Sequence, residues 1–292
     1  MTKNECLSQN ENSITILLEE FQRYLKKKNQ SENTITAYLI GVKYFYSLYQ
    51  ELTVTNIKAY REFLLANYQP ATANQRIHAM NMYLRFIESQ YCDQYSELKS
   101  YRLNSVKMPR NSFKDTIITN EDCRLLEEKL LEEHQDFWYY VVRFLVTTGA
   151  RVSELTQIKV EHLTCGYLDL YSKGGKSRRI YITDTLCEEA SAWCHSRGQH
   201  SGFLFTNKNG QTVTARGIHS QLKHFAVRYG INPDSVYPHS FRHRFAKNFL
   251  ARNGDIALLA DLMGHESIET TRIYLTKSSR EQQELLEEIV TW

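Results

Sequence analysis

Residues 167–182 read YLDLYSKGGKSRRIYI, and here alone the chain carries a convincing strand pattern. Tyr167-Leu168-Asp169-Leu170-Tyr171 and Arg179-Ile180-Tyr181-Ile182 alternate around Lys173-Gly174-Gly175-Lys176. Gly-Gly suits a tight hairpin turn because it accepts positive φ. The stretch therefore predicts a β-hairpin with a basic tip. Around it the apolar residues recur at helical spacing, so the fold class is mainly α with a small antiparallel sheet.

Working outward, helices are expected at Thr119 to Glu133 and Asp136 to Thr148, the second stopped by Gly149. After the hairpin come Asp184 to Ser196, Ala215 to Tyr229, Ser240 to Asn253, Asp255 to Met263 and Ser267 to Thr276, with Gly254 and Gly264 as stops. The first 95 residues read as four amphipathic helices. One carries Leu17, Phe21 and Leu25 and ends in Lys26-Lys27-Lys28; one restarts at Ser31. A third is capped by Thr55, and Pro70 separates it from the fourth. Residues 96–113 have poor periodicity and contain Lys99, Arg102, Lys107, Pro109 and Arg110, which suits a basic interdomain linker. The expected organisation is a helical domain at 1–95, that linker, and a second domain at 114–292.

Composition narrows the class. Of the 292 residues 42% are hydrophobic and 24% charged, near globular averages, which sets disordered and fibrous classes aside. Mean hydropathy is −0.50. No apolar run approaches the ~18 residues of a membrane span, and the first twelve residues are polar, so the cytoplasm is the expected location. Six cysteines without a CxxC pair argue for free thiols over a disulfide framework or zinc site. The net charge of +3 conceals a pattern: residues 139–252 hold 16 Lys and Arg against 7 Asp and Glu, a net +9, with acidic segments on both sides. A concentrated basic region is the footprint of a polyanion-binding face, although solvated surface lysines give the same count.

Three short elements could carry chemistry. His239 and Arg242 lie three residues apart at the start of a helix and share a face, so both can reach one phosphate; a solvated pair is the plainer explanation. Arg151 follows a helix stop in an apolar context and needs an anion, either an external one or Glu154. Leu262-Met263-Gly264-His265 leads into Tyr274, which alone is one of 19 tyrosines.

Taken together and in order, these elements resemble the tyrosine recombinase (phage integrase) family, in particular its compact Xer-like members. The matching residues are Thr148-Gly149-Ala150-Arg151-Val152-Ser153-Glu154-Leu155, the Lys173-Gly174-Gly175-Lys176 hairpin, His239-x-x-Arg242, Leu262-Met263-Gly264-His265, and Tyr274 nine residues after His265. Phe241 stands where many relatives carry Leu. The resemblance implies a helical, SAM-like core-binding domain followed by a catalytic domain of the DNA breaking-rejoining fold. It implies a site-specific recombinase in which Tyr274 attacks a DNA phosphodiester, forming a 3′-phosphotyrosyl link. Arg151, Arg242 and His265 would hold the phosphate, Lys173 would protonate the leaving 5′-oxygen, and His239 would assist proton removal from Tyr274. Glu154 would orient Arg151 or a histidine. No cofactor and no metal is expected. Lys26, Lys27, Lys28, Lys176, Arg178 and Arg244 are the candidate DNA contacts. The implied partner is double-stranded DNA bearing short inverted-repeat core sites, bound by a homotetramer on two duplexes with each C-terminal helix donated to a neighbouring protomer. The implied purpose is resolution, inversion, or integration and excision of a DNA element. A catalytically silent DNA-binding relative and a nicking-closing topoisomerase are the alternatives.

Overall fold

The computed structural model describes residues 3–107, 117–171, 177–265, 267–275, 283 and 286–290, with side chains from residue 13 onward. Residue contacts divide the chain into two units, Met1–Arg110 and Asn111–Trp292.

The first unit contains α1 (Lys3–Lys27), α2 (Glu32–Leu48), α3 (Val54–Asn67) and α4 (Pro70–Gln90). Phe21 and Leu25 of α1, Val42 and Phe45 of α2, Tyr60 of α3 and Tyr83 of α4 are fully buried together, the helical stripes having found one another. Ser31 caps α2 by accepting from the Thr34 amide at 3.1 Å, and Pro70 occupies the first turn of α4, where no amide donor is needed. The cap of α3 is Thr53, not Thr55. Thr53 holds extended backbone and its Oγ1 accepts from the Asn56 amide at 3.2 Å, while Thr55 already lies inside the first turn.

The stretch expected to be linker begins as part of this unit. Leu98 and Leu103 are buried in its core. Asn81 donates to the Leu103 carbonyl at 2.9 Å and accepts from its amide at 2.8 Å; Asn74 does the same for Val106 at 2.9 and 2.7 Å. Two side-chain amides thus satisfy this extended segment as a neighbouring strand would. Residues 108–113 of the expected linker lie outside the described residues.

The second unit is built around α6 (Asp136–Thr148), whose Val141, Val142, Phe144 and Leu145 are fully buried. It packs against α5 (Asn120–Glu132), capped by Thr119, and α11 (Pro238–Asn253). Between them in the chain come α7 (Val152–Leu155), α8 (Glu161–Cys165), the hairpin strands β1 (Tyr167–Tyr171) and β2 (Ser177–Tyr181), α9 (Asp184–Ser196) and α10 (Ala215–Arg228). Helices α12 (Ile256–Met263) and α13 (Ile268–Arg272) follow. The one- and two-turn helices α7 and α8 escape periodicity analysis because they are too short to show a stripe. The strands pair antiparallel from Tyr167 opposite Tyr181 to Tyr171 opposite Ser177. The hairpin tip, with Lys173 and Lys176, lies outside the described residues. Beside the main core, Ala246, Leu259, Met263 and Tyr274 form a small separate cluster where α11, α12 and α13 meet. Among the described residues no helix is long and apolar enough to cross a membrane, and no group of three or more His, Cys, Asp or Glu could hold a metal ion.

Candidate active site

The site is assembled where three helix ends meet one strand. Helix α6 stops at Gly149, and Arg151 immediately starts α7. Glu154, in the first turn of α7, reaches back to accept from the Arg151 amide at 2.7 Å and from its guanidinium at 2.8 Å. The amide bonds to Oε2 and the guanidinium to Oε1, and Oε1 also accepts from Arg178 of β2 at 2.5 Å. Arg242, in the second turn of α11, lies 3.9 Å from the other oxygen. Glu154 is 8% exposed and Arg242 only 2%.

Helix α12 supplies the other wall. Asp255 caps its start, and its end turns at Gly264. Arg178 Nε donates to the Leu262 carbonyl at 3.1 Å, and Arg242 donates to the next carbonyl, Met263, and to Gly149 at 2.8 Å. Two guanidiniums therefore satisfy carbonyls at the negative end of α12. Gly264 has φ +60°, and a Cβ there would collide with Cδ and Nε of Arg178.

Arg242 also faces His265 Nε2 at 3.1 Å, while His265 Nδ1 lies 2.8 Å from Thr271 Oγ1. A guanidinium can only donate, so Nε2 accepts and the ring proton sits on Nδ1. Burial, followed by Arg242, pulls the His265 pKa down to about 4, so the ring is neutral in ordinary buffers. The resemblance implies that His265 donates to a phosphate; in this arrangement its one N–H faces Thr271 and its ring lone pair accepts from Arg242.

Tyr274 closes the set. It is 7% exposed, its ring stacks on His265 with centroids 5.9 Å apart, and His243 meets its edge at 4.8 Å. Burial raises its pKa above 10, opposed by Arg242 and Arg151. Three guanidiniums meet one carboxylate, which leaves an excess of two positive charges in a poorly solvated place. Burial opposes ionisation of Glu154, yet Arg178 and Arg151 hold its pKa below the usual carboxylate value. Burial, with Arg151 and Arg178 nearby, lowers Arg242 to about 10. Arg151, Arg178, Gly264 and His265 line a cleft of about 800 Å³, in which the Arg151 side chain is 37% exposed.

The structure thus brings Arg151, Arg242, His265 and Tyr274 together from four separate stretches. His239 is exposed in the first turn of α11, three residues before Arg242. Two of the expected DNA contacts have partners within the protein. Arg178 is 11% exposed, bonded to Glu154, and lines the cleft. Arg244 Nε is spent on the Ile118 carbonyl at 2.6 Å, holding the start of the second unit. Lys26, Lys27 and Lys28 are exposed at the end of α1, with Lys26 3.9 Å from Glu32 and Lys28 over the Tyr24 ring. His243 and Thr271 were missed. Each is adjacent in sequence or one turn away from a residue singled out, but nothing in a single sequence marks either.

Chemically, such a set can receive a phosphate and present it with a phenolic oxygen, which defines a phosphoryl-transfer site. Comparison with known proteins makes the assignment specific. Residues 118–281 match the model of the phage integrase family, and the chain belongs to that family. It is 29% identical to tyrosine recombinase XerA of Pyrococcus furiosus over 279 residues, 93% of each chain. It is 27% identical to tyrosine recombinase XerD of Staphylococcus haemolyticus, covering 88% of this chain and 92% of that one. Among solved structures, XerH site-specific recombinase bound to palindromic difH substrate, a post-cleavage complex, aligns with TM-score 0.70 at 21% identity, covering 94% of this chain and 84% of that one. A lambda integrase dimer bound to a COC′ core site aligns with TM-score 0.68 at 15% identity, covering 92% and 80%.

Proposed function

We propose that this protein is a site-specific DNA recombinase that cuts and rejoins strands through a covalent link to Tyr274. The observation that carries the reading is the convergence of Arg151, Arg178 and Arg242 on one carboxylate beside the Tyr274 ring.

In the proposed reaction Tyr274 Oη attacks the phosphorus, the bond to the 5′-oxygen breaks, and a 3′-phosphotyrosyl link remains. The 5′-hydroxyl of a partner strand then reverses the step. One phosphodiester replaces another, so no nucleotide hydrolysis is needed. Charge gathers on the two non-bridging oxygens in the transition state, where Arg151 and Arg242 would meet it with fixed, forked donors; losing one such donor costs ~10²–10³-fold in rate. The raised Tyr274 pKa means the phenol must lose its proton during attack. His239 is assigned that assistance, and Lys173 the protonation of the departing 5′-oxygen. His265 would steady Arg242 and hand a proton donor to phosphate only after leaving its present bonds.

The partner is double-stranded DNA with short inverted-repeat sites, and the protein acts where that DNA lies, in the cytoplasm. Four copies on two duplexes, linked by donated C-terminal segments, complete the reading. The exposed apolar side chains of Leu275, Leu286, Ile289 and Val290 support that segment's docking elsewhere. Deleting residues 284–292 should impair pairing of two sites more than binding of one; equal loss in gel shifts rejects donation.

The test is incubation with a nicked suicide duplex. Wild type should become covalently attached and Tyr274→Phe should not, and two duplexes carrying the site should exchange strands. Relaxation of supercoiled DNA without exchange would make it a topoisomerase, and binding without attachment a DNA-binding relative.

A further inference from the structure

Arg178 touches both halves of the site, and neither the sequence reading nor the reaction just proposed gives it a role there. Its guanidinium Nη1 meets Glu154 at 2.5 Å, its Nε holds the Leu262 carbonyl at 3.1 Å, and among the described residues its buried Nη2 has no hydrogen-bond partner. Its aliphatic stem packs where only a glycine, Gly264, leaves room. Glu154, in turn, is within reach of two further guanidiniums, Arg151 at 2.8 Å and Arg242 at 3.9 Å.

That geometry contains a conflict. A buried carboxylate flanked by arginines competes with any phosphate for those same arginines. The oxygen engaged by Arg178 also accepts from Arg151, and a carboxylate held toward β2 is kept 3.9 Å from Arg242, short of full contact. We infer that Arg178 is a positioning residue: it holds the Glu154 carboxylate toward β2 and pins the last turn of α12, so that Arg242 stays directed at the phosphate instead of closing on Glu154. The inference rests on the proposed recombinase reading and adds to it the charge balance that keeps the site open for an anion.

Removing the Arg178 charge leaves Glu154, which already holds Arg151, free to close on Arg242 as well. Single-turnover cleavage of the nicked duplex by Arg178→Met, at saturating protein, should fall at least ~10²-fold, the range for losing a preorganised donor. Gel-shift affinity, spread over many phosphates, should change by less than ~3-fold. Arg178→Lys, which keeps a charge but not the fork, should fall between wild type and Arg178→Met. The decisive variant is Glu154→Gln combined with Arg178→Met. Removing the competing charge should restore cleavage at least ~10-fold over Arg178→Met alone, with no matching recovery of melting temperature. A purely architectural ion pair would recover cleavage only in step with recovered stability, and an Arg178 acting independently of Glu154 would give losses that add. Tryptophan fluorescence melts on each variant separate the two cases: activity that tracks unfolded fraction across the set, or a double variant no better than the single, overturns the inference while leaving the recombinase reading intact. If wild type itself forms no covalent adduct, both fall together.

Discussion

Gly264 and Gly254 form a matched pair that tests how tightly the site is packed. Both end a helix in the left-handed region, Gly254 after α11 at φ +72° and Gly264 after α12 at φ +60°. Placing a Cβ in that conformation costs about 1–2 kcal/mol whatever surrounds it. At Gly254 the added methyl meets nothing within 4 Å, so strain is the whole cost; at Gly264 it would lie 2.9 Å from Arg178 Nε and nearer still to Cδ. The Arg178 stem must then move, breaking its bond to Leu262 or to Glu154, and a hydrogen bond to a charged group is worth about 1.5–3 kcal/mol. Gly254→Ala should therefore lose about 1–2 kcal/mol and Gly264→Ala roughly 2.5–5. For a unit of this size each kcal/mol is about 2–4 °C of melting temperature. All three tryptophans, Trp138, Trp193 and Trp292, fall in residues 111–292, so their fluorescence reports that unit without interference from the first. In the suicide-duplex assay Gly254→Ala should cleave within about 3-fold of wild type, and Gly264→Ala should lose roughly 10²-fold or more, as expected when a site's preorganisation is broken. Equal melting shifts with equal cleavage rates would refute the claim that Arg178 and Gly264 are packed against each other for function.

Two further outcomes follow from the charge environment and from the Arg244 contact with Ile118. His265 has an ordinary pKa of 6.5 when unfolded and about 4 when folded, because burial and Arg242 disfavour its charged form. Between those values the unfolded chain binds a proton that the folded chain refuses, so His265 contributes stability above pH 6.5 that is lost as pH falls toward 4. Denaturant midpoints measured across that window should drop more steeply for wild type than for His265→Asn; parallel curves would show that the ring is not held neutral. Arg244→Ala should lower the melting temperature of the second unit, since it abandons the Ile118 carbonyl, yet change duplex affinity less than 2-fold by gel shift. A large affinity loss without a melting shift would show that Arg244 serves the duplex more than the Ile118 carbonyl.

Much of this protein can be read along the chain. The helical periods, the start of α2 at Ser31, the stop of α6 at Gly149 and both strands of the hairpin depend on neighbours within a turn or a strand, and such signals are local. The ordered motifs carrying Arg151, Arg242, His265 and Tyr274 were likewise legible as a family pattern. Local reading faltered at Thr53, where two threonines two residues apart compete for one cap and only the backbone angles choose. It faltered again at residues 96–106, whose anchoring to Asn74 and Asn81 comes from side chains 22 and 32 residues away. The tertiary structure alone decided what the arginines do. On the sequence Arg178 and Arg244 are two more cations in a basic stretch; in space one is shared with Glu154, 24 residues away, and the other with Ile118, 126 residues away. Charge is a property of the residue, but whether that charge faces a duplex, a carboxylate or a carbonyl depends on which distant atoms the fold brings within 3 Å, and no single sequence records that.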